Sequence, residues 1–200
     1  MKKIMVFMAV AVLATVSASA KGRSFGVTAG LNISSVDIKE ADGLDSKMGF
    51  LVGGVIDHDL SNAFSIISEL TFSQKGWIED RGEEHAVTLN YLQLSPANVT
   101  YKIPLPANSK VFIFLGPYFS YLFSASYKQG SDSGDIPIDT DDYNSLDPID
   151  FGLNLGAGYQ FGKIYGKIQS NLGLFNIASG DSYFHHIKIS NIGISVGYLF

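Results

Sequence analysis

Three groups of side chains along this chain have types and spacings that chemistry could use. The first is Asp181, Ser182, His185 and His186, the inventory of a nucleophile, a base and an orienting acid within six residues. Neighbouring residues of an extended segment point to opposite sides, so His185 and His186 do not converge on one metal or one proton, and no motif marks Ser182 and Asp181 as triad partners. A solvated loop end is the preferred reading of all four.

The second group is acidic. Asp132, Asp135, Asp139, Asp141, Asp142 and Asp147 supply enough oxygen for weak surface calcium binding, with Asp139, Asp141 and Asp142 as the candidate ligands, but the spacing fits no EF-hand. Such a run is read first as a solvated loop that repels the phosphates of lipopolysaccharide. The third group is Glu69, Lys75 and Lys167, joined by Asn154 and Gln169, polar residues set inside otherwise apolar alternation. Enclosed together, Glu69 with Lys75 or Lys167 would form ion pairs that hold a structure shut, a reading preferred to proton transfer. There is no cysteine, so thiol catalysis, disulfides and a lipobox anchor are excluded, and no cofactor is expected.

What could position these groups is set by the rest of the chain. Residues 1–20 run from Lys2 and Lys3 through an apolar stretch, Ile4 to Val16, to Ala18-Ser19-Ala20, the order of a secretory signal peptide, leaving 21–200 as the structured domain. Without Lys2 and Lys3, 12 basic residues face 19 acidic ones, a net charge of −7 that repels nucleic acid. Beyond the leader no charge-free stretch reads as a membrane helix; VFIFLGPYFSYLFSASY at 111–127, with Gly116, Pro117 and alternating serines, suits a long strand.

Period-two alternation recurs throughout. Phe25, Val27, Ala29, Leu31 and Ile33 share one face, against Gly26, Thr28, Gly30, Asn32 and Ser34. Over 150–161 the rows are Phe151, Leu153, Leu155, Ala157, Tyr159 and Phe161 against Asp150, Gly152, Asn154, Gly156, Gly158 and Gln160. Ile164, Ile168, Leu172 and Leu174 oppose Tyr165, Lys167, Gln169 and Asn171, and the tail gives Ile192, Ile194, Val196, Tyr198 and Phe200. No apolar row carries a charge. Because Lys or Arg facing lipid at mid-membrane costs roughly 2–4 kcal/mol, the apolar rows should face lipid, and Glu69, Lys75 and Lys167 a lumen.

Further strands are predicted at 47–57, 63–78, 86–103 and 110–127, eight in all. They alternate tight connections (58–62, 104–109, 162–163) with longer polar ones (37–46, 79–85, 128–148, 176–186). The fold class is therefore all-β, an eight-stranded antiparallel transmembrane up-and-down β-barrel with both termini on the periplasmic side. Its interior should be largely filled, with Gly152, Gly156 and Gly158 leaving room opposite Lys167 and Gln169. A change of parity is expected between Tyr91 and Leu92, with a bulge or bend at Pro96. Trp77, Tyr91, Tyr101, Tyr127 and Tyr198 are expected at the membrane interface.

GVTAGLNISS, GFLVGG, SELTFSQKGW, NYLQLSP, GPYFSYLFSA, DFGLNLGAGYQF, NLGLFNI and ISVGYLF together resemble, in order, the blocks of the porin-family, PorT-like small outer-membrane barrels common in Bacteroidota. The placing of Pro96 departs from that family by one residue. The resemblance implies an outer-membrane location and a barrel architecture. The closing row Ile194, Val196, Tyr198 and Phe200 is similar to the signal that the barrel-assembly machinery reads. Expected partners are that machinery, outer-membrane lipid and lipopolysaccharide, and an envelope or extracellular protein met through the loops. The expected function is non-enzymatic, structural or surface-interacting, with a narrow pore for small solutes or ions as the alternative.

Overall fold

A strand whose outer row is apolar can lie in hydrocarbon only if its backbone N–H and C=O groups are paired on both edges, which favours closing a sheet on itself. The computed structural model describes residues 22–38, 44–80, 84–130, 132–138, 146–174 and 187–200 and shows that closure. The strands are β1 (Arg23–Ile38), β2 (Leu44–Asp59), β3 (Phe64–Asp80), β4 (Glu84–Leu105), β5 (Ser109–Gln129), β6 (Asp132–Asp135), β7 (Ile149–Phe161), β8 (Ile164–Gly173) and β9 (Ile187–Leu199). All pairings between them are antiparallel. The ring runs β1-β2-β3-β4-β5-β7-β8-β9 and is closed by β9 on β1, from Gly26↔Leu199 to Ile38↔Ile187. Eight strands form the barrel wall; β6 is a short return on the far end of β5.

Short turns join the strands at the end that holds Gly22 and Phe200. The Pro106–Asn108 turn places Ala107 and Asn108 at positive φ (61° and 55°), and Gly162 at φ 57° allows the two-residue reversal with Lys163. The longer connections all leave from the opposite end, the arrangement in which outer-membrane barrels keep short turns in the periplasm and loops outside. We call these the turn end and the loop end.

The outward rows are those the alternation gives. Phe25, Val27, Leu31 and Ile33 on β1, Leu153 and Leu155 on β7, Ile164 and Ile168 on β8, and Ile192, Ile194, Val196 and Tyr198 on β9 with Phe200 after it are exposed. Their alternates Thr28, Asn32, Ser34, Asn154, Lys167, Gln169 and Asn171 are buried. An exposed apolar belt around a buried polar interior is the inverse of a soluble protein, and hydrocarbon is the solvent that fits it.

Parity does change in β4, but at a different place from the one expected. Tyr91, Gln93 and Ser95 point inward, and the switch comes between Ser95 and Asn98, where β4 carries one residue more than β3 and one more than β5. Pro96 and Pro117 both lie in this interrupted stretch, where a missing amide hydrogen costs no ladder bond, and the Ser68 hydroxyl donates to the Pro96 carbonyl at 2.6 Å. The irregularity near Tyr91 belongs to the partner strand: Phe123 of β5 is the extra residue opposite Asn90 and Tyr91.

Candidate functional site

The inward side chains stack in layers along the barrel axis. At the turn end Lys102, carried inward by the bulge of β4, lies between Asp57 (2.6 Å) and Asp59 (2.7 Å) of β2. Above it Val55, Phe112, Phe114, Tyr165 and Leu199 form an apolar layer. The rings of β5 fill the space that the glycines of β7 leave: Gly152 faces Tyr118, Gly156 faces Phe114, and Gly158 faces Phe112. The expected room opposite Lys167 and Gln169 is therefore occupied by aromatic carbon. What remains is a cavity of about 20 Å³ bordered by Glu69, Lys167, Asn98 and Tyr165, close to the volume one water needs.

The middle of the lumen is polar and cross-linked. Glu69 pairs with Lys167. Asn154 donates to Asn98 (3.3 Å), Asn171 to Gln93 (3.1 Å), Ser120 to Gln93 (3.3 Å) and Gln169 to Asn171 (3.4 Å). Asn191 donates to Asn32 (3.2 Å), which donates to Ser73 (2.9 Å). These bonds tie β1, β3, β4, β5, β7, β8 and β9 across the interior, while Asn98 Nδ2, Asn154 Oδ1, Gln169 Oε1 and Asn191 Oδ1 stay buried without a partner among the described residues.

Toward the loop end Lys75 is fully buried. Its ammonium is 3.8 Å from Asp150 and lies over the rings of Tyr91 and Tyr118, each centroid 5.1 Å away, while the Tyr118 hydroxyl donates to Asp150 at 3.1 Å. A charge taken out of water is held here by one carboxylate and two ring faces. Over this layer Leu89, Tyr91, Leu122, Ala125, Leu146 and Ile189 make a second apolar layer, packed by Trp77, Ile136 and Ile138. Ile136 and Leu146 are roots of the long connection after β5, fixed by Ile136 N–H to the Ala125 carbonyl (2.9 Å) and Leu146 N–H to the Pro137 carbonyl (3.1 Å). The described roots of the loop thus add their own apolar side chains to this layer.

The structure brings Glu69 together with Lys167 and assigns Lys75 instead to Asp150. Tyr91 and Trp77, expected at the membrane interface, belong to the inner loop-end layer, whereas Tyr101, Tyr127 and Tyr198 are exposed on the outer wall. Alternation could not place Phe112, Phe114 and Tyr118, because over this part of β5 both rows are largely apolar. The facing glycines of β7 were the available signal. Asp132, Asp135 and Asp147 are exposed, and no group of three metal-ligating side chains forms among the described residues. Asp139, Asp141 and Asp142, and likewise Asp181, Ser182, His185 and His186, lie outside the described residues.

A family described as outer membrane protein beta-barrel domain matches residues 15–179. Among solved structures, Neisserial surface protein A is 14% identical, with 90% of this chain and 100% of that one covered and a TM-score of 0.54, a likeness of fold. The attachment invasion locus protein Ail of Yersinia pestis is 16% identical (90% and 100% covered, TM-score 0.49), and OprG of Pseudomonas aeruginosa 10% identical (91% and 98%, TM-score 0.47). No curated protein sequence matches the chain.

Proposed function

We propose that this chain, which belongs to the family of outer membrane protein beta-barrel domains, is a non-enzymatic surface barrel that meets an envelope or extracellular protein through its loop end. One observation carries the reading: among the described residues an apolar layer lies across the lumen at each end, which favours the loop end over the interior as the surface that acts. The connection after β5 suits that role. Its roots Ile136, Ile138 and Leu146 are packed into the barrel mouth, and Asp139, Asp141 and Asp142 follow between them in the sequence. Shortening residues 139–145 to a Gly-Ser link while keeping those roots should leave the barrel folded and abolish partner capture by intact cells. Capture that persists would overturn the proposal.

A narrow pore is the second reading, favoured by the polar middle of the lumen and its cavity of about 20 Å³. Step currents in a planar bilayer would select it. The PorT-like resemblance, the export leader over residues 1–20 and the outward row Ile194, Val196, Tyr198 and Phe200 as assembly signal belong to the same proposal. Amino-terminal sequencing of protein from the outer membrane should begin at Lys21, and Phe200→Ala should accumulate unassembled precursor; an intact Met1 or unchanged assembly would remove the respective part.

A further inference from the structure

The outward row of β2 reads Met48, Phe50, Val52, Gly54 and Ile56, an apolar row broken by one glycine. The neighbouring Gly53 has a local cause, since a Cβ there would run into Leu70 and Thr71 of β3. Gly54 has none: a Cβ at this position meets nothing within 4 Å. Glycine weakens a strand, and where no protein atom requires its smallness the remaining structural reason is space kept for something else. That space is a dent of about 260 Å³ in the outer wall, lined by Gly54, Phe25, Ile56, Leu70, Leu94 and Pro96. It adjoins the bulge of β4, with Leu94 and Pro96 on one side. Its polar neighbours are engaged elsewhere, the Ser68 hydroxyl with the Pro96 carbonyl and the Glu69 carboxylate with Lys167 inside the lumen.

We propose that this dent is a binding site for one acyl chain of a phospholipid of the periplasmic leaflet. The dent is continuous with the lipid-facing belt: Val27 and Leu70, the register partners of Gly54, belong to that belt on the adjoining strands. Its level fixes the leaflet. Phe25, Phe64, Tyr101, Tyr198 and Phe200 form an exposed aromatic girdle at the turn end, and Gly54 lies two residues further into the wall than the Phe25↔Ile56 pair. At about 3.3 Å per residue this is hydrocarbon just inside the interface on the turn-end side, the periplasmic side by the short-turn rule, where phospholipid and not lipopolysaccharide supplies the chains. The site is independent of the loop-end reading, and either can fail alone.

The test uses the full barrel reconstituted in vesicles of phosphatidylethanolamine and phosphatidylglycerol, extracted into detergent and weighed by native mass spectrometry. Wild type should keep one phospholipid through washes that remove the others. Gly54→Leu, whose Cβ meets no atom within 4 Å, should fill the dent and reduce retention at least tenfold. Ala157→Leu, which adds the same side chain to the outward row of β7, should leave it unchanged. Heat-shifted migration in gel electrophoresis shows that each variant has closed; if Gly54→Leu does not close, Gly54→Ala takes its place, with a several-fold loss expected. Equal retention by the filled variant, no retained phospholipid on wild type, or preference for a free fatty acid offered in competition would each overturn the proposal.

Discussion

At the scale of single residues the interior is governed by how charges are partnered once water is gone. Lys167 and Glu69 are both almost completely buried, so removing one leaves the other stranded, whereas replacing both with apolar side chains of similar size restores a consistent interior. Glu69→Ala should therefore cost about 3–5 kcal/mol in equilibrium urea unfolding from vesicles, while Glu69→Leu with Lys167→Met should stand close to wild type. A single variant as stable as wild type would show that the pair does not hold the barrel together. The sequence exposed the existence of these inward charges, because a charge has only one tolerable side of a lipid-facing strand. It did not expose their partners. Which carboxylate Lys75 meets depends on Asp150 lying across the barrel, seventy-five positions away, and nothing local to either residue records that distance.

At the scale of elements, the β4 bulge decides which residues see lipid. From Asn98 onward the inward row of β4 is Asn98, Thr100 and Lys102, and it is in phase with the lumen because the extra residue at Pro96 and Ala97 is taken up as a bulge. Deleting Ala97 would remove the extra residue, so that Ser95 and Asn98 match Glu69 and Ile67 one for one; the bulge would go while Asn98, Thr100 and Lys102 keep their inward phase. The deletion should keep the heat-shifted band of the closed barrel, as should Ala97→Ser; loss of the band in the deletion variant would show that the bulge itself, and not only the phase of the row, is needed for closure. Here the sequence was legible where alternation is clean, as in β1, β7, β8 and β9, and misleading in β4. Around Leu92-Gln93-Leu94 both rows hold large apolar residues, so polarity gives no phase, and the bulge is fixed by its neighbours β3 and β5 instead.

At the scale of the whole molecule, eight strands set a bore that side chains can fill, and two apolar layers in series fill it. Barriers in series act together, so opening one should leave the barrel silent. Phe112→Ala with Phe114→Ala is expected to give no step current in a planar bilayer, and currents should appear only when Leu89→Ser and Leu122→Ser are added. Conductance from wild type would contradict the filled bore. Strand number and the lipid-facing rows were readable from alternation and turn chemistry. The closure of the bore was not, because it depends on rings from β5 nesting on glycines of β7 and on loop residues folding back into the mouth. The β1–β9 seam has a consequence of its own. Most neighbouring walls are local hairpins, but this clasp joins segments from opposite ends of the polypeptide, so it carries the largest ring-closure entropy and is favoured to form late. Until it shuts, the buried asparagines and lysines have no enclosed interior to occupy. Entry into the bilayer and sequestration of those polar groups should accordingly be one concerted event, with the half-zipped sheet an unstable guest in either solvent.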